Sequence, residues 1–404
     1  MATPEQPIRI LAHSSVLPRI RRDISRRHLL AFAGTAAGAS FLAACGGGTT
    51  GAAGGAGGAT AATKPIATGG ALESSLSMYS WGDYDAPEVL EAFTSKLGPT
   101  VTSDSFNSNE ELIAKLIAAK GTSGYDIVVP TGPFIPQMVQ NGLLAPINRD
   151  LVPNISAMDP EFLSQAWDPK NQFSICKAWG TTGFVYDKTV ITRELKTWSD
   201  FVNAAQNEAS GKTSVLDDPA PLSGIYYWSN GIDWNTTDTA QLDACEKFIV
   251  SELAPHVAAF DSYPGGQAIP QGTQALMQVW NGDARIGIQE SDDPDKWQWV
   301  LGSPDTELWM DNWAIAAGAP NPEAAHAFIN FMLAPEHAVP TVDYIGYRTG
   351  AKDIEKDAEK AGLEMLDLVF FSPEQIATMH TGEVTNAQQR TVDTWNKAKA
   401  AAGA

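Results

Sequence analysis

The chain has 404 residues, 44% hydrophobic and 18% charged, enough to bury a sizeable core spread over two or three domains. Its formal net charge of −20 excludes a nucleic-acid surface, because phosphate binding needs a basic face, and it suits a soluble protein that attracts cations. The three cysteines, Cys45, Cys176 and Cys245, show no CxxC or Cys/His spacing, so neither a metal site nor a cofactor is read from them.

In chain order, a basic stretch from Arg19 is followed by an apolar run over 29–44. This is the layout of a secretory signal, too short and too rich in small residues for a stable membrane span. Ser25-Arg26-Arg27-His28-Leu29-Leu30 is similar to the twin-arginine export consensus, and Leu42-Ala43-Ala44-Cys45 to a lipobox, in which Cys45 is acylated and becomes the new N-terminus. Residues 45–71 are mostly Gly, Ala and Thr, too poor in apolar bulk to offset chain entropy, and read as a flexible tether. Loss of residues 1–44, with six arginines and two acidic residues, leaves 21 basic and 45 acidic residues and a net charge of −24.

The folded part begins near residue 72. A strand is expected over 76–81, a helix from Pro87, a strand over 101–105, a helix over 109–119 and a buried strand over 125–130. A short helix over 135–141 ends at Gly142. Further on come a strand at 214–216, a helix at 239–253, a strand at 284–288, and helices at 322–333, 351–371 and 385–401. Strands alternating with helices give an α/β fold with largely parallel sheet. No Walker loop, GxSxG, HExxH or GxGxxG is present, so no enzyme is read from motifs. Cys176 and Cys245, 69 positions apart, leave the choice between a disulfide and two free thiols open, with free thiols favoured.

Aromatic and acidic residues cluster at turn-like positions: Trp81-Gly82-Asp83-Tyr84, Trp280-Asn281-Gly282-Asp283, Trp309-Met310-Asp311, and Tyr347 after Gly346. Ligands of open α/β sheets collect at the carboxyl ends of strands. Ring faces attract ammonium groups, carboxylates add charge-assisted hydrogen bonds, and methylene chains pack on Trp and Tyr. A diamine or triamine uses all three.

The ordered segments YSWGDY, SNEELIAKL, GYDIVVP, GLLAPINRDLVPNISAMDPEF, QVWNG, LWMDNWAI, FINFMLAPEHA and IGYRTG span about residues 76–395. Through them the chain resembles the spermidine/putrescine-binding receptors of bacterial ABC importers. The resemblance implies a type II periplasmic-binding fold of two α/β lobes, each a mixed, mostly parallel sheet flanked by helices. Lobe one would combine 72–181 with 312–355, and lobe two 182–311 with 356–404, with the ligand cleft between them. It implies that Trp81, Asp83, Tyr84, Thr131 and Tyr347 line the cleft from lobe one. From lobe two it implies Ser262, Trp280, Asp283 and an aspartate matching Asp218, or Asp217 if the alignment slips. Trp309 and Asp311 would lie at the crossover, with Asp311 holding an amine. It further implies a non-catalytic monomer that delivers polyamine to the permease and ATPase subunits of the importer and meets the membrane only through its lipid anchor. Three positions depart from the pattern. Gly132-Pro133-Phe134 lacks the tyrosine frequent after VVP, Pro221 replaces a glutamate, and Lys177 replaces an aromatic near the hinge. A modified amine, an amino-acid-like compound or another zwitterion is the alternative ligand.

Overall fold

The computed structural model describes residues 64–121 and 123–403. The expected signal segment, Cys45 and most of the tether lie outside the described residues. The tether ends earlier than expected. Ala67 is buried, its carbonyl accepts from Asn148 Nδ2 at 3.2 Å, and the amides of Thr68 and Gly69 donate to Glu323 Oε1 at 2.8 and 3.1 Å. Chain from Ala67 onward is therefore docked through its backbone, which a composition argument based on side-chain bulk misses.

The first half of the sheet is built from β1 (Ser75–Trp81), helix α1 (Pro87–Leu97), β2 (Thr100–Phe106), helix α2 (Asn109–Ala119) and β3 (Ile127–Val128). Strand β1 pairs in parallel with β2 on one side and β3 on the other. Helix α1 starts with proline, which lacks the N–H a first turn leaves unpaired anyway, and α2 is capped by Ser108, whose side chain accepts from the Glu111 amide. Helix α3 (Ile135–Gln140) and β4 (Leu144–Ala145) follow. Strand β5 (Ser174–Asp187) is buried along all 14 residues and serves both halves. Beyond it lie helix α4 (Trp198–Gln206), β6 (Thr213–Val215), helix α5 (Pro219–Ser229), helix α6 (Thr239–Phe248), β7 (Val257–Phe260), helix α7 (Ala268–Gln271), β8 (Leu276–Trp280), helix α8 (Asn281–Gln289) and β9 (Trp297–Val300). Strand β6 pairs in parallel with β7 and β8, while β8 and β9 run antiparallel to the second half of β5. The chain then crosses back through β10 (Thr306–Ala316), which pairs antiparallel with the first half of β5 and with β3. Helices α9 (Pro322–Met332) and α10 (Pro335–Ile345), β11 (Arg348–Thr349), helix α11 (Ile354–Ala361), helix α12 (Pro373–Ile376), β12 (Met379–Thr381) and helix α13 (Gln388–Ala402) complete the chain. The strand order is β2-β1-β3-β10-β5-β8-β6-β7. Two α/β lobes with separate cores thus share two crossing strands, β5 and β10.

Four expectations change. Residues 284–288 form helix, not strand: Asn281, Ala284, Arg285 and Ile288 are all buried, at i, i+3, i+4 and i+7, and Arg285 is satisfied by the carbonyls of Glu364 and Asp343. The strand is β8, just upstream. The helix expected over 351–371 stops at Ala361, where Gly362 turns left-handed at φ 78°. Helix α6 gives way at Phe248 to a wider helical turn, Ile249–Leu253. Residue 356, the expected return to lobe two, falls inside α11, whose Ile354 and Ala358 pack on Ala338 and Val342 of α10. Cys176 and Cys245 are both buried free thiols. Among the described residues no helix is long and apolar enough to cross a membrane.

Candidate functional site

Parallel strands of both lobes aim their carboxyl ends at one cleft. Trp81 to Tyr84 follow β1, and Thr131 follows β3. Asp217 and Asp218 follow β6, Asp261 to Tyr263 follow β7, and Trp280 to Asp283 link β8 to α8. Crossing strand β10 contributes Glu307, Trp309 and Asp311. The lobes touch here. Tyr263 Oη accepts from the Gly82 amide at 2.8 Å, and the rings of Trp81 and Trp280 lie 6.2 Å apart, edge to face. Farther out, Gln388 Nε2 donates to Glu110 at 3.1 Å. The two lobes are thus in direct contact across the cleft.

Asp311 is 5% exposed and accepts from Thr131 Oγ1 at 2.7 Å. Thr131 is held in turn by Asn109, which accepts its amide and donates to its hydroxyl, both at 2.9 Å. Burial pushes the Asp311 carboxyl up to about 7, although the Thr131 bond, the Tyr84 hydroxyl and the Lys177 charge pull the other way. Asp283, in the first turn of α8, is also pushed up to about 7, by burial and by the charges of Asp261 and Asp83, against the hydrogen bond donated by the Tyr347 hydroxyl at 2.5 Å. Glu307 reaches about 7 through burial, with Asp311 adding to it and the Thr182 hydroxyl bond opposing it. Asp218 caps α5, accepting from the Ala220 amide at 3.1 Å, and is driven well above the usual carboxylate range by burial and then by the charges of Glu110 and Glu307. The cleft therefore strongly favours added positive charge.

Aromatic rings separate these carboxyls. Tyr347 packs edge-on against Trp309 at 4.8 Å and against Tyr84 at 5.8 Å. This contact needs glycine at 282, because a Cβ there would stand 2.5 Å from the Tyr347 ring. Trp81 is oriented by its indole N–H, which donates to the Val129 carbonyl at 3.1 Å. The buried Trp309 Nε1 and Ser262 Oγ have no hydrogen-bond partner among the described residues. Buried polar atoms left open at a cleft mark places a ligand can satisfy.

The structure brings together Trp81, Tyr84, Thr131, Trp280, Asp283, Trp309, Asp311 and Tyr347. Asp83 is exposed at the rim, in a left-handed turn at φ 49°. Of the neighbouring aspartates, Asp217 is engaged by Trp395 Nε1 at 2.9 Å and Lys399 Nζ at 2.8 Å, while Asp218 accepts from the Ala220 amide. The Lys177 ammonium is engaged away from the cleft carboxyls, although its charge reaches Asp311. It is buried, pairs with Asp85 at 2.8 Å, donates to the Tyr84 carbonyl, and lies over the rings of Tyr84 and Trp313. Phe134 joins the lobe-one core, and Pro221 lies inside α5 with its carbonyl bound to Gln278. Sequence reasoning missed Glu307 and Tyr263. Glu307 carried a signal, since Glu307, Trp309 and Asp311 alternate and so share one side of a strand.

Residues 88–364 match the family described as bacterial extracellular solute-binding protein. The chain belongs to this family. A spermidine/putrescine-binding periplasmic protein of Escherichia coli (strain K12) is 32% identical over 277 residues, covering 68% of this chain and 77% of that protein. The solved structure of a spermidine/putrescine ABC transporter substrate-binding protein from Streptococcus pneumoniae, in complex with calcium and HEPES, is 28% identical with a TM-score of 0.66, over 82% of this chain and all of that one. A spermidine/putrescine ABC transporter protein from Listeria monocytogenes has a TM-score of 0.74 at 24% identity, over 81% of this chain and 99% of its own, a likeness of fold. Membership places the chain among the binding components of solute transporters.

Proposed function

We propose that this solute-binding protein captures a linear polyamine, of the putrescine or spermidine type, between its lobes and delivers it to the permease of an ABC importer, held at the membrane by lipid on Cys45. The observation that carries this reading is the set of cleft carboxyls Asp283, Glu307 and Asp311, each pushed up to about 7 and interleaved with Trp81, Trp280, Trp309 and Tyr347. Carboxylates that are comfortable in the open, hydrated cleft become costly when the lobes close over them. A dication that bridges both lobes removes that cost and so stabilises the closed form differentially, as a ligand-driven shift requires. Closure about β5 and β10 is a hinge motion of known type.

Thermal unfolding of the protein with putrescine, cadaverine, spermidine, agmatine, amino acids, betaines and sugars tests the reading. A ligand of the folded state raises the melting temperature in step with its concentration. Selective shifts with diamines or triamines support it. Shifts with a zwitterion or sugar, and none with amines, overturn it.

A further inference from the structure

The loop after β7 is pinned at its tip and reaches across the cleft. Tyr263 precedes Pro264, which holds the preceding backbone out of the helical region. The Tyr263 amide donates to Asp261 Oδ1 at 2.8 Å, and its carbonyl accepts from the Gly266 amide at 3.1 Å. Gly265 lies against the first turn of α8, where a Cβ would overlap the Asp283 carbonyl. From this support the half-buried Tyr263 side chain extends to lobe one, and its hydroxyl accepts from the Gly82 amide at 2.8 Å. The fit is tight: a Cβ on Gly82 would stand 3.1 Å from the ring carbon that bears the hydroxyl. Gly82 joins Trp81, whose ring meets that of Trp280, to Asp83 at the rim. Strand β7 is the outermost strand of lobe two, yet its loop touches Asp283 beyond β8 and Gly82 beyond β1, so it arches over the cleft. Burial pushes the Tyr263 hydroxyl well above its ordinary value, so the arch is neutral and acts by its bulk. The other tie between the lobes, Gln388 to Glu110, is of a different kind. It joins two long side chains that regain rotamer freedom when they part, whereas Tyr263 is a stiff ring on a fixed backbone.

We propose that Tyr263 is a specificity-determining residue, a rigid stop across the cleft mouth that admits a diamine short enough to be enclosed whole and rejects a longer amine whose end would have to pass the ring. The stop rests on the amine reading of the cleft. Putrescine and cadaverine fit beneath it. Spermidine and spermine carry further aminopropyl arms, and to bind they must either displace the ring, which breaks the bond to Gly82, or keep the lobes apart. Either loss falls only on the form in which the lobes meet, so it counts in full against the long amines. Discrimination then comes from an obstacle to the wrong ligand, with no added contact to the right one.

The test is calorimetric titration of the wild type, Y263A, Y263F and Q388A with putrescine, cadaverine, spermidine and spermine, read as the ratio of long-amine to short-amine Kd. The wild type is expected to bind a short diamine about 10-fold or more tightly than spermidine and spermine. Y263A is expected to close that gap by about 10-fold, chiefly through tighter binding of the long amines. Y263F keeps the ring, and Q388A keeps the whole stop while losing the other tie. Both are expected to weaken short and long amines alike and to leave the ratio unchanged. A wild type that binds spermidine or spermine as tightly as putrescine, a ratio in Y263A equal to that of the wild type, or a ratio moved as far in Y263F or Q388A as in Y263A, overturns the stop while leaving the amine reading intact. A wild type that binds none of the four amines overturns the amine reading, and the stop falls with it. Should Y263A fail to fold by circular dichroism, Y263L, which keeps apolar bulk on a shorter side chain, decides by the same ratio.

Discussion

Asp311→Asn removes a charge and little else. Asparagine has the same shape, and its amide oxygen can still accept from Thr131 Oγ1, now 2.7 Å from the carboxylate. In the closed, ligand-free protein the carboxyl is raised from 3.8 to about 7, which corresponds to roughly 4 kcal/mol against its ionised form above neutral pH. The sign follows from linkage. A carboxyl whose folded value is raised binds more protons folded than unfolded, so its contribution to stability is greatest below the unfolded value near 4 and is lost as pH rises toward 7. The asparagine variant lacks this loss. Its ligand-free form should match the wild type in melting temperature near pH 4 and exceed it at pH 8, by less than the full 4 kcal/mol because the wild type relieves part of the strain by opening. Binding should move the other way. An ammonium deprived of its charged partner loses about 1.5–3 kcal/mol, or about 10- to 150-fold in Kd. Scanning calorimetry of the free protein and titration calorimetry with putrescine and spermidine at pH 8 give both quantities. An unchanged Kd for an amine that binds the wild type refutes the pairing. A lower ligand-free melting temperature at pH 8 refutes the claim that burial disfavours this charge.

The wild type's affinity for a diamine should fall as pH drops through about 7, because Asp283, Glu307 and Asp311 must lose protons to receive ammonium groups. Proton release measured in buffers of different ionisation enthalpy checks this, and a flat profile between pH 8 and 6 counts against it. Lys177→Met strands Asp85, whose side chain is 6% exposed, and should cost about 3–5 kcal/mol in urea unfolding; a loss under about 1 kcal/mol would show that the pair is not confined as described. Tyr263→Phe removes the hydroxyl that accepts from Gly82 across the cleft, worth about 1 kcal/mol, so ligand dissociation in stopped flow should speed up about fivefold. An unchanged rate would mean that this contact does not help to hold the lobes closed.

Much of the architecture could be read from local pattern. Pro87 and Ser108 sit where helices α1 and α2 begin, and the aromatic and acidic clusters after β1 and β8 lie in the cleft. The segment 284–288 was misread because Ile286, Gly287 and Ile288 look like a buried strand until Arg285 is known to be satisfied by carbonyls from two distant segments. The length of β5 was illegible for a related reason: a strand buried on both sides along its whole run shows no alternation. The charge of Lys177 looked out of place in sequence because its partner Asp85 is 92 positions away. Glu307 is harder to read, because the family pattern points to the glutamate position held here by Pro221, inside α5, while this carboxyl comes from strand β10.

The clip between Glu323 and the amides of Thr68 and Gly69 joins the incoming chain to the start of α9, which packs in the lobe-one core. Whatever holds the chain upstream of Ala67 therefore holds lobe one. Lobe two becomes the swinging jaw and lobe one the stationary one. Opening and closing then carry α13 and the helices around it past a lobe one that the Glu323 clip ties to the backbone of Thr68 and Gly69.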